Sequence, residues 1–342
     1  VGATVALADI TNNVTSTLDS TKLYHLKNVD VDAYASLTQV NTAIGAQVSQ
    51  GTSGSYALNG SFIKADLANN VTSSLGSSEI YLTNTGVLNV IAEDIKGADI
   101  RTLLGLESAP TGIDLSDAST LKNDSFIGTA TVSTKKENNY TTTEGDGEVR
   151  LSSLLDDANM TQVSVVVGAG VSIGSTGAAA SGAVIVNDVD NRFNSTMTGV
   201  KVDYGTELNH RAQSGVRTVN VAMGAAGSGG QFSLAGSVIV DKVKQITNVT
   251  SENNILNNIA QRTIVAENAA ITADAAGNLA LSLSPNGGAV GAAVTVGYTT
   301  NDANVHLINN EIVGGTLLSN AINGSQTWML AVNGLWPWAS WH

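Results

Sequence analysis

The stretch GAVIVNDVDNRF, Gly182 to Phe193, decides how the whole chain is read. It opens like the centre of a buried strand and closes in Asn and Asp. Close variants stand at Gly2 to Val14 (GATVALADITNNV), Gly60 to Val71 (GSFIKADLANNV) and Gly236 to Ile246 (GSVIVDKVKQI). Anchored on their glycines, the copies start at Gly2, Gly60, Gly128, Gly182, Gly236 and Gly291. The spacing is nearly constant from Gly128 onward and is longest between Gly60 and Gly128. A small residue follows each anchor (Ala3, Ser61, Thr129, Ala183, Ser237, Ala292). A β-branched residue stands three places on (Val5, Ile63, Thr131, Ile185, Ile239, Val294). Asn recurs nine to eleven places on (Asn12-Asn13, Asn69-Asn70, Asn138-Asn139, Asn191, Asn301); the Gly236 copy has Lys244-Gln245 there. The Gly128 copy is the weakest, since Lys135-Lys136-Glu137 replaces its apolar part. A recurring period of this length points to a building block used repeatedly.

Further strand-like runs precede the anchors: Val163 to Ile173, Thr218 to Ala226 and Asn278 to Leu283. They alternate apolar with small or polar residues, the period of two that marks strands. Gly and Asn clusters between them suit turns with positive φ. Each copy therefore divides into about three rungs of 18 to 20 residues, the size of one coil of a parallel β-helix. The expected fold is all-β: a right-handed parallel β-helix (β-solenoid) with about three rungs per 54–68 residue repeat. Small residues would turn corners, β-branched residues would stack inward, and Asn would form ladders or left-handed turns. About 18 rungs would build a rod of roughly 85 Å. Asn28 to Ala33 and Ala43 to Val48 read as strands with Val29, Val31, Ile44, Ala46 and Val48 inward.

The expected shaft covers residues 1–320. Two insertions, each a loop or short helix, are expected near 94–124 (Ile100, Leu103, Leu104 and Leu106 at helical spacing) and near 251–262 (Ile255, Leu256 and Ile259 on one face). Residues 321–342 hold all four tryptophans and differ in kind. They suit a cap or assembly surface, since a β-helix end exposes unpaired backbone, or else an appended tail. The chain begins at Val1, so a fragment of a longer processed protein is expected.

Composition agrees. Of 342 residues, 42% are hydrophobic but only 4% aromatic; glycine numbers 35 and proline 3. Charged residues make up 13%, about half the usual share. Asn, Ser and Thr supply the polarity, a mixture for strands rather than surface helices. The net charge of −13 disfavours nucleic acid and anionic lipid as partners. With no cysteine, disulfides, thiolate metal sites and cysteine nucleophiles are excluded. The uncharged stretches Ala158 to Asn187 and Ala275 to Asn301 are broken by Gly, Ser, Thr and Asn, and the second by Pro285. Neither is a run of about 20 apolar residues, so no membrane insertion is expected.

Candidate chemistry is sparse. Glu144 with Gly145 to Glu148 (GDGE) is the densest acidic cluster and could offer oxygens to calcium; a solvated loop is the simpler reading. Asp188 and Asp190, like Asp30 and Asp32, put two carboxylates on one strand face. Paired carboxylates serve glycoside hydrolysis, but outward-facing solvated pairs explain them more simply. His25, His210, His306 and His342 lack metal-ligand spacing. GAAGSGG (Gly224 to Gly230) has no following Lys-Ser/Thr and reads as corner glycines. Sequons at Asn13, Asn70, Asn123, Asn139, Asn194 and Asn248 barely exceed chance. No catalytic, cofactor or metal site is assigned.

The copies GATVALADITNNVTS, GAGVSIGSTGAAASGAVIVNDVDN and GSVIVDKVKQITNVTS resemble the repeat region of filamentous-haemagglutinin-like secreted bacterial adhesins, the leukotoxin-type filamentous adhesins above all. The resemblance covers about residues 1 to 320 and leaves out the Trp-rich end. It implies a right-handed β-helical shaft, two-partner secretion through an outer-membrane transporter, and display at the bacterial cell surface. It carries no catalytic residues, and the family's N-terminal secretion domain is not recognisable here. The expected function is a non-enzymatic structural and adhesive shaft with a role in virulence. Its partners would be a cell-surface protein or glycan receptor and further copies joined end to end into filaments. The alternative is a polysaccharide-degrading β-helix enzyme or tailspike-like depolymerase, with Asp188 and Asp190 as first candidates. A toxin is suggested only by the leukotoxin-type resemblance.

Overall fold

The computed structural model describes residues 1–35, 37–51, 54–93, 113–114, 121–122, 147–153, 160–284 and 286–337. The described chain is all β: β1 (Gly2–Asp19), β2 (Lys22–Tyr34), β3 (Thr38–Gln50), β4 (Tyr56–Gly76), β5 (Glu79–Glu93), β6 (Ile113–Asp114), β7 (Leu121–Lys122), β8 (Gly147–Ser153), β9 (Met160–Ile173), β10 (Ala178–Thr198), β11 (Lys201–Ser228), β12 (Phe232–Glu252), β13 (Ile255–Ser282), β14 (Gly288–Ile308), β15 (Glu311–Val313) and β16 (Thr316–Pro337). The chain alternates between two sheets. The first, sheet A, has the order β1-β4-β10-β12-β14 and is wholly parallel. The second, sheet B, runs β16-β13-β11-β5-β2-β8, with β9 and β3 continuing it beside the second half of β11. This is compatible with a parallel β-helix.

Each repeat is one layer of this stack, not three rungs. Gly182 pairs directly with Gly236, a full period on, with no strand between them. One layer is a sheet A strand of 21 residues followed by a sheet B strand of up to 28. Five layers replace the expected 18 rungs. At about 4.8 Å per strand they span roughly 20 Å along the stack, while a strand of this length runs about 70 Å across it.

The register also corrects the anchors. Gly60, Gly182 and Gly236 form one column, completed by Ala3 and Ala292. Gly2 and Gly291 therefore sit one residue early. Ile63, Ile185 and Ile239 are fully buried as expected, but Val5 and Val294 point outward, with Ala6 and Thr295 in the inward column. Gly128 lies outside the described residues, and β4 pairs with β10 along its whole length, leaving no place in sheet A for a copy between them. The segment 94–159 instead enters between β5 and β9, which occupy the two halves of one sheet B layer beside β11. The expected insertion at 94–124 falls there, mostly outside the described residues. The one expected at 251–262 does not exist: Ser251 and Glu252 end β12, Asn253-Asn254 form a corner, and β13 starts at Ile255.

The corners between the sheets repeat from layer to layer. Ser20, Ser77, Gly199, Asn253 and Asn309 take φ between 37° and 66°, a left-handed conformation open to Gly, Asn and a few Ser. Ser77 and Asn253 show how each amide is satisfied by the next layer: Ser77 donates to the Thr198 carbonyl and Asn253 to that of Ile308, both at 2.9 Å.

The interior has a wide half and a narrow half. Ser214 of β11 donates to Gln245 of β12 at 2.7 Å. Beyond that bond the short run 246–252 faces the longer run 201–213, so sheet B bows away from sheet A. Large side chains fill the bow: Phe193, Met197, Leu75, Leu88 and Leu208 are fully buried. In the narrow half the sheets nearly touch. A Cβ on Gly168 would lie 2.6 Å from the Gly182 carbonyl oxygen, and one on Gly224 would lie 2.6 Å from that of Gly236. Only Gly, Ala, Ser and a few polar or branched residues fit inside, so the bulky side chains face out. Val29 and Val31 lie inward as expected, but Ile44 and Val48 are 64% and 63% exposed, while Ala43 is buried. The phase of Ala43 to Val48 is the reverse of the expected one.

The recurring Asn is an interior ladder. Asn12, Asn69, Asn191, Gln245 and Asn301 share a column. Asn12 donates to Asn69 at 2.8 Å, and Asn69 to Asn191 at 2.7 Å. Gln245 is thus the Gly236 layer's own member of the column. Asn191→Ala would remove a rung of this buried ladder, the bond from Asn69 to Asn191, at a cost of about 1–3 kcal/mol. Urea unfolding should show that loss with an unchanged slope.

Candidate functional site

The carboxylates considered for hydrolysis lie on the outer face of sheet A, where the alternation of β10 puts them. They are not free. Lys242, one layer on, holds Asp188 at 2.9 Å. Arg192 donates to Asp190 through Nη2 and Nε, at 3.0 and 3.1 Å, with Lys244 at 4.0 Å. The hydrogen bond from Arg192 keeps Asp190 below the usual carboxylate range, and the hydrogen bond to Asp188 raises Lys242. A layer earlier, Lys64 contacts Asp66 in the same way. These contacts form a charge zipper across the strands. Exposed pairs of this kind contribute little stability each, but they keep both carboxylates engaged by cations. Asp190, held low, is not the raised-pKa acid that glycoside hydrolysis needs.

Asp30 and Asp32 are not solvated: both are 7% exposed, and Asp30 accepts from Asn89 at 2.6 Å. The histidines stay apart. His210 is buried in the core, and desolvation pushes its pKa down to about 4, so it is neutral. His25 takes a left-handed φ of 57° in β2, His306 lies on β14, and His342 is outside the described residues. Of the acidic cluster, Gly147 and Glu148 open β8, while 144–146 are outside the described residues. Among the described residues no three His, Asp or Glu side chains gather to hold a metal ion. Within GAAGSGG, Gly229 and Gly230 turn the corner into β12, but Gly224 and Gly227 lie within β11. The Trp-rich segment continues sheet B as far as Pro337: Trp328 pairs with Ala273 and Trp336 with Leu281. Trp338 and Trp341 lie outside the described residues.

Two polar features lie beyond the sequence reading. One is a spine crossing the narrow half. Ser164 donates to Asn187 at 3.3 Å, Asn187 to Asn220, Asn220 to Asp274 at 2.8 Å, and Thr218 to Asp241 at 2.7 Å. Burial pushes Asp241 up to about 7 and raises Asp274 as well. The sequence does carry a signal, since Asp241 occupies the column of Asn187. The other is Arg262, fully buried, whose guanidinium donates to the carbonyls of Gly314, Leu256 (3.0 Å) and Val313 (2.9 Å). It ties β13 to the left-handed Gly314-Gly315 link between β15 and β16. Burial lowers it to about 10, so it stays charged at neutral pH.

The remaining surfaces are edges and outer faces. Among the described residues β1 and β14 each pair on one side only in sheet A. No described helix is long and apolar enough to cross a membrane. Compared with known proteins, the chain matches no family model, no curated protein and no solved structure.

Proposed function

We propose that this chain is a segment of a right-handed parallel β-helical shaft, non-enzymatic and adhesive, from a large secreted bacterial surface protein. The supporting observation is the sheet A ladder: five parallel strands hold one unbroken register along their length, with like residues stacked on like. Such a stack extends by adding layers, and the one-sided edges of β1 and β14 are where layers of the same kind add, within a longer chain or end to end. The outer face carries paired charges rather than converging reactive groups. A cell-surface protein or glycan would be bound by that exterior, and export would run through an outer-membrane transporter by two-partner secretion.

The test combines attachment and cleavage. Beads coated with the purified chain should adhere to host-cell monolayers, and the chain should release no reducing ends from a panel of surface polysaccharides. Failure to adhere would sink the adhesive role. Cleavage that disappears in Asp188→Ala would replace it with a depolymerase. A density map in which the chain winds left-handed would remove the right-handed assignment.

A further inference from the structure

We infer that the outer face of sheet A, in its narrow half, packs laterally against the same face of a second copy of this chain. This association is side by side, not end to end, and it stands independently of the adhesive role.

In the narrow half the bulk lies outside. Val184, Val238 and Val294 form an outward column with Phe62, and Val186, Val240 and Val296 form the next. Leu58, Leu234 and Val290, all more than 40% exposed, form a third. Between the first and third runs the glycine column of Gly60, Gly182 and Gly236, where an added Cβ would meet nothing within 4 Å. It is the floor of an open trough beside a β-branched ridge. A two-fold axis in the plane of contact, parallel to the columns and midway between ridge and trough, sets the ridge of one copy over the trough of the other. The relief of these two columns is therefore self-complementary, and the same axis sets the Leu58 column of one copy against the Val186 column of the other. Lys64 shares the Val186 column and reaches toward Asp66, and from the column of Asp66, Asp188 and Lys242, one further on, the charge zipper bounds the patch.

The area suffices. Five strands about 4.8 Å apart, over about nine residues, give roughly 700 Å² per copy and about 1,400 Å² in all, the standard size of a specific interface. The sheets would pack about 10 Å apart, as in a sandwich.

A second copy fits better than lipid. The edges of β1 and β14 carry backbone groups that hydrocarbon cannot satisfy. The narrow interior also holds the buried Asp241 and Asp274, and the net charge of −13 repels anionic headgroups. Sheet B is also apolar outside, at Ile44, Met223 and Leu279, and its narrow half is an unbroken run of β3-β9-β11-β13-β16, but it lacks the glycine trough.

Sedimentation velocity over a wide concentration range tests this. The parent should dimerise. Val184→Asp with Val238→Asp should weaken the dimer by at least about a hundredfold, and Val184→Thr with Val238→Thr, which keep the branched shape, by about tenfold. Met223→Asp with Leu279→Asp on sheet B should leave it unchanged. Circular dichroism checks the fold, and the Thr pair decides if the Asp pair misfolds. A parent that is monomeric throughout would overturn the inference. So would a folded sheet A variant that still dimerises, or a dimer lost only through the sheet B variant. A monomeric parent that floats with neutral phosphatidylcholine vesicles would name lipid as the occupant instead.

Discussion

Gly224→Val should destabilise the protein by about 3 kcal/mol or more, through overpacking between two backbones that cannot move apart independently. Gly224 points inward from β11, and its added Cβ would meet the Gly236 oxygen at 2.6 Å and Asn278 Oδ1 at 3.0 Å. The first obstacle is main chain in a five-stranded ladder, so relief requires sheet A itself to shift. No side-chain rotation can give that relief. The control is Gly277, in the next layer of the same sheet and facing outward, where a Cβ meets nothing within 4 Å. Its column neighbours are Met223 and Val332. Gly277→Val should leave stability unchanged or raise it by roughly 0.5–1 kcal/mol, since glycine is a poor strand residue. Thermal melts should separate the two variants, the first falling by about 10 °C and the second holding or rising. Equal shifts would mean that the sheets are not in contact at Gly224.

The contrast shows what the sequence can and cannot convey. Period-two alternation and the like-with-like columns are legible, because register repeats at nearly fixed spacing. The number of rungs is not. Gly224 reads as a corner glycine and Asn191 as a ladder or turn residue, yet each lies inside a long strand. Gly224 answers the narrow gap between sheets and Asn191 the amide ladder, both relations between distant residues. The phase at Ile44 and Val48 escapes a local reading for the same reason: bulk turns inward only where the gap admits it. The helical spacing of Ile255, Leu256 and Ile259 has a local cause. Asn258 takes a left-handed φ of 53°, as Tyr204 does one layer earlier, and neither joins the ladder between Asp203↔Asn257 and Gly205↔Ile259. This extra residue shifts the alternation by one, so Leu256 and Ile259 both face in. The carboxylates of the candidate site do fall on an outer face at Asp188 and Asp190, as the alternation predicts. Arg192, the main partner of Asp190, stands two residues on in the same strand, but Lys242, the partner of Asp188, belongs to the next layer and is within reach only once the layer spacing is known.

The buried Asp241 should favour the fold in mild acid over neutral pH, against the buried His210, whose lowered pKa acts in the opposite direction. Its carboxyl is 1% exposed in the narrow interior, and desolvation holds it at about 7 against an ordinary 3.8. The groups facing it act in both directions. Thr218 and Asn220 hydrogen bonds favour the charged form, while Asp274 across the gap and Asp188 beside it oppose ionisation. A carboxyl whose folded pKa lies above its unfolded one binds its proton more tightly in the native state. Its contribution is fully present below about pH 4 and is lost as pH rises to about 7. That displacement corresponds to a loss of roughly 4 kcal/mol over the window. Asp274, also raised by burial, adds in the same direction. Asp241→Asn removes the titration while keeping the shape, and the layer before it already carries Asn187 in that column. The variant should match the parent near pH 4 and exceed it by about 4 kcal/mol near pH 8; the difference between the two profiles isolates Asp241, since His210 titrates in both. Urea midpoints measured across that range on both proteins give the answer. Parallel profiles would mean that Asp241 titrates in the folded protein as it does in water, and that the polar spine is open to solvent.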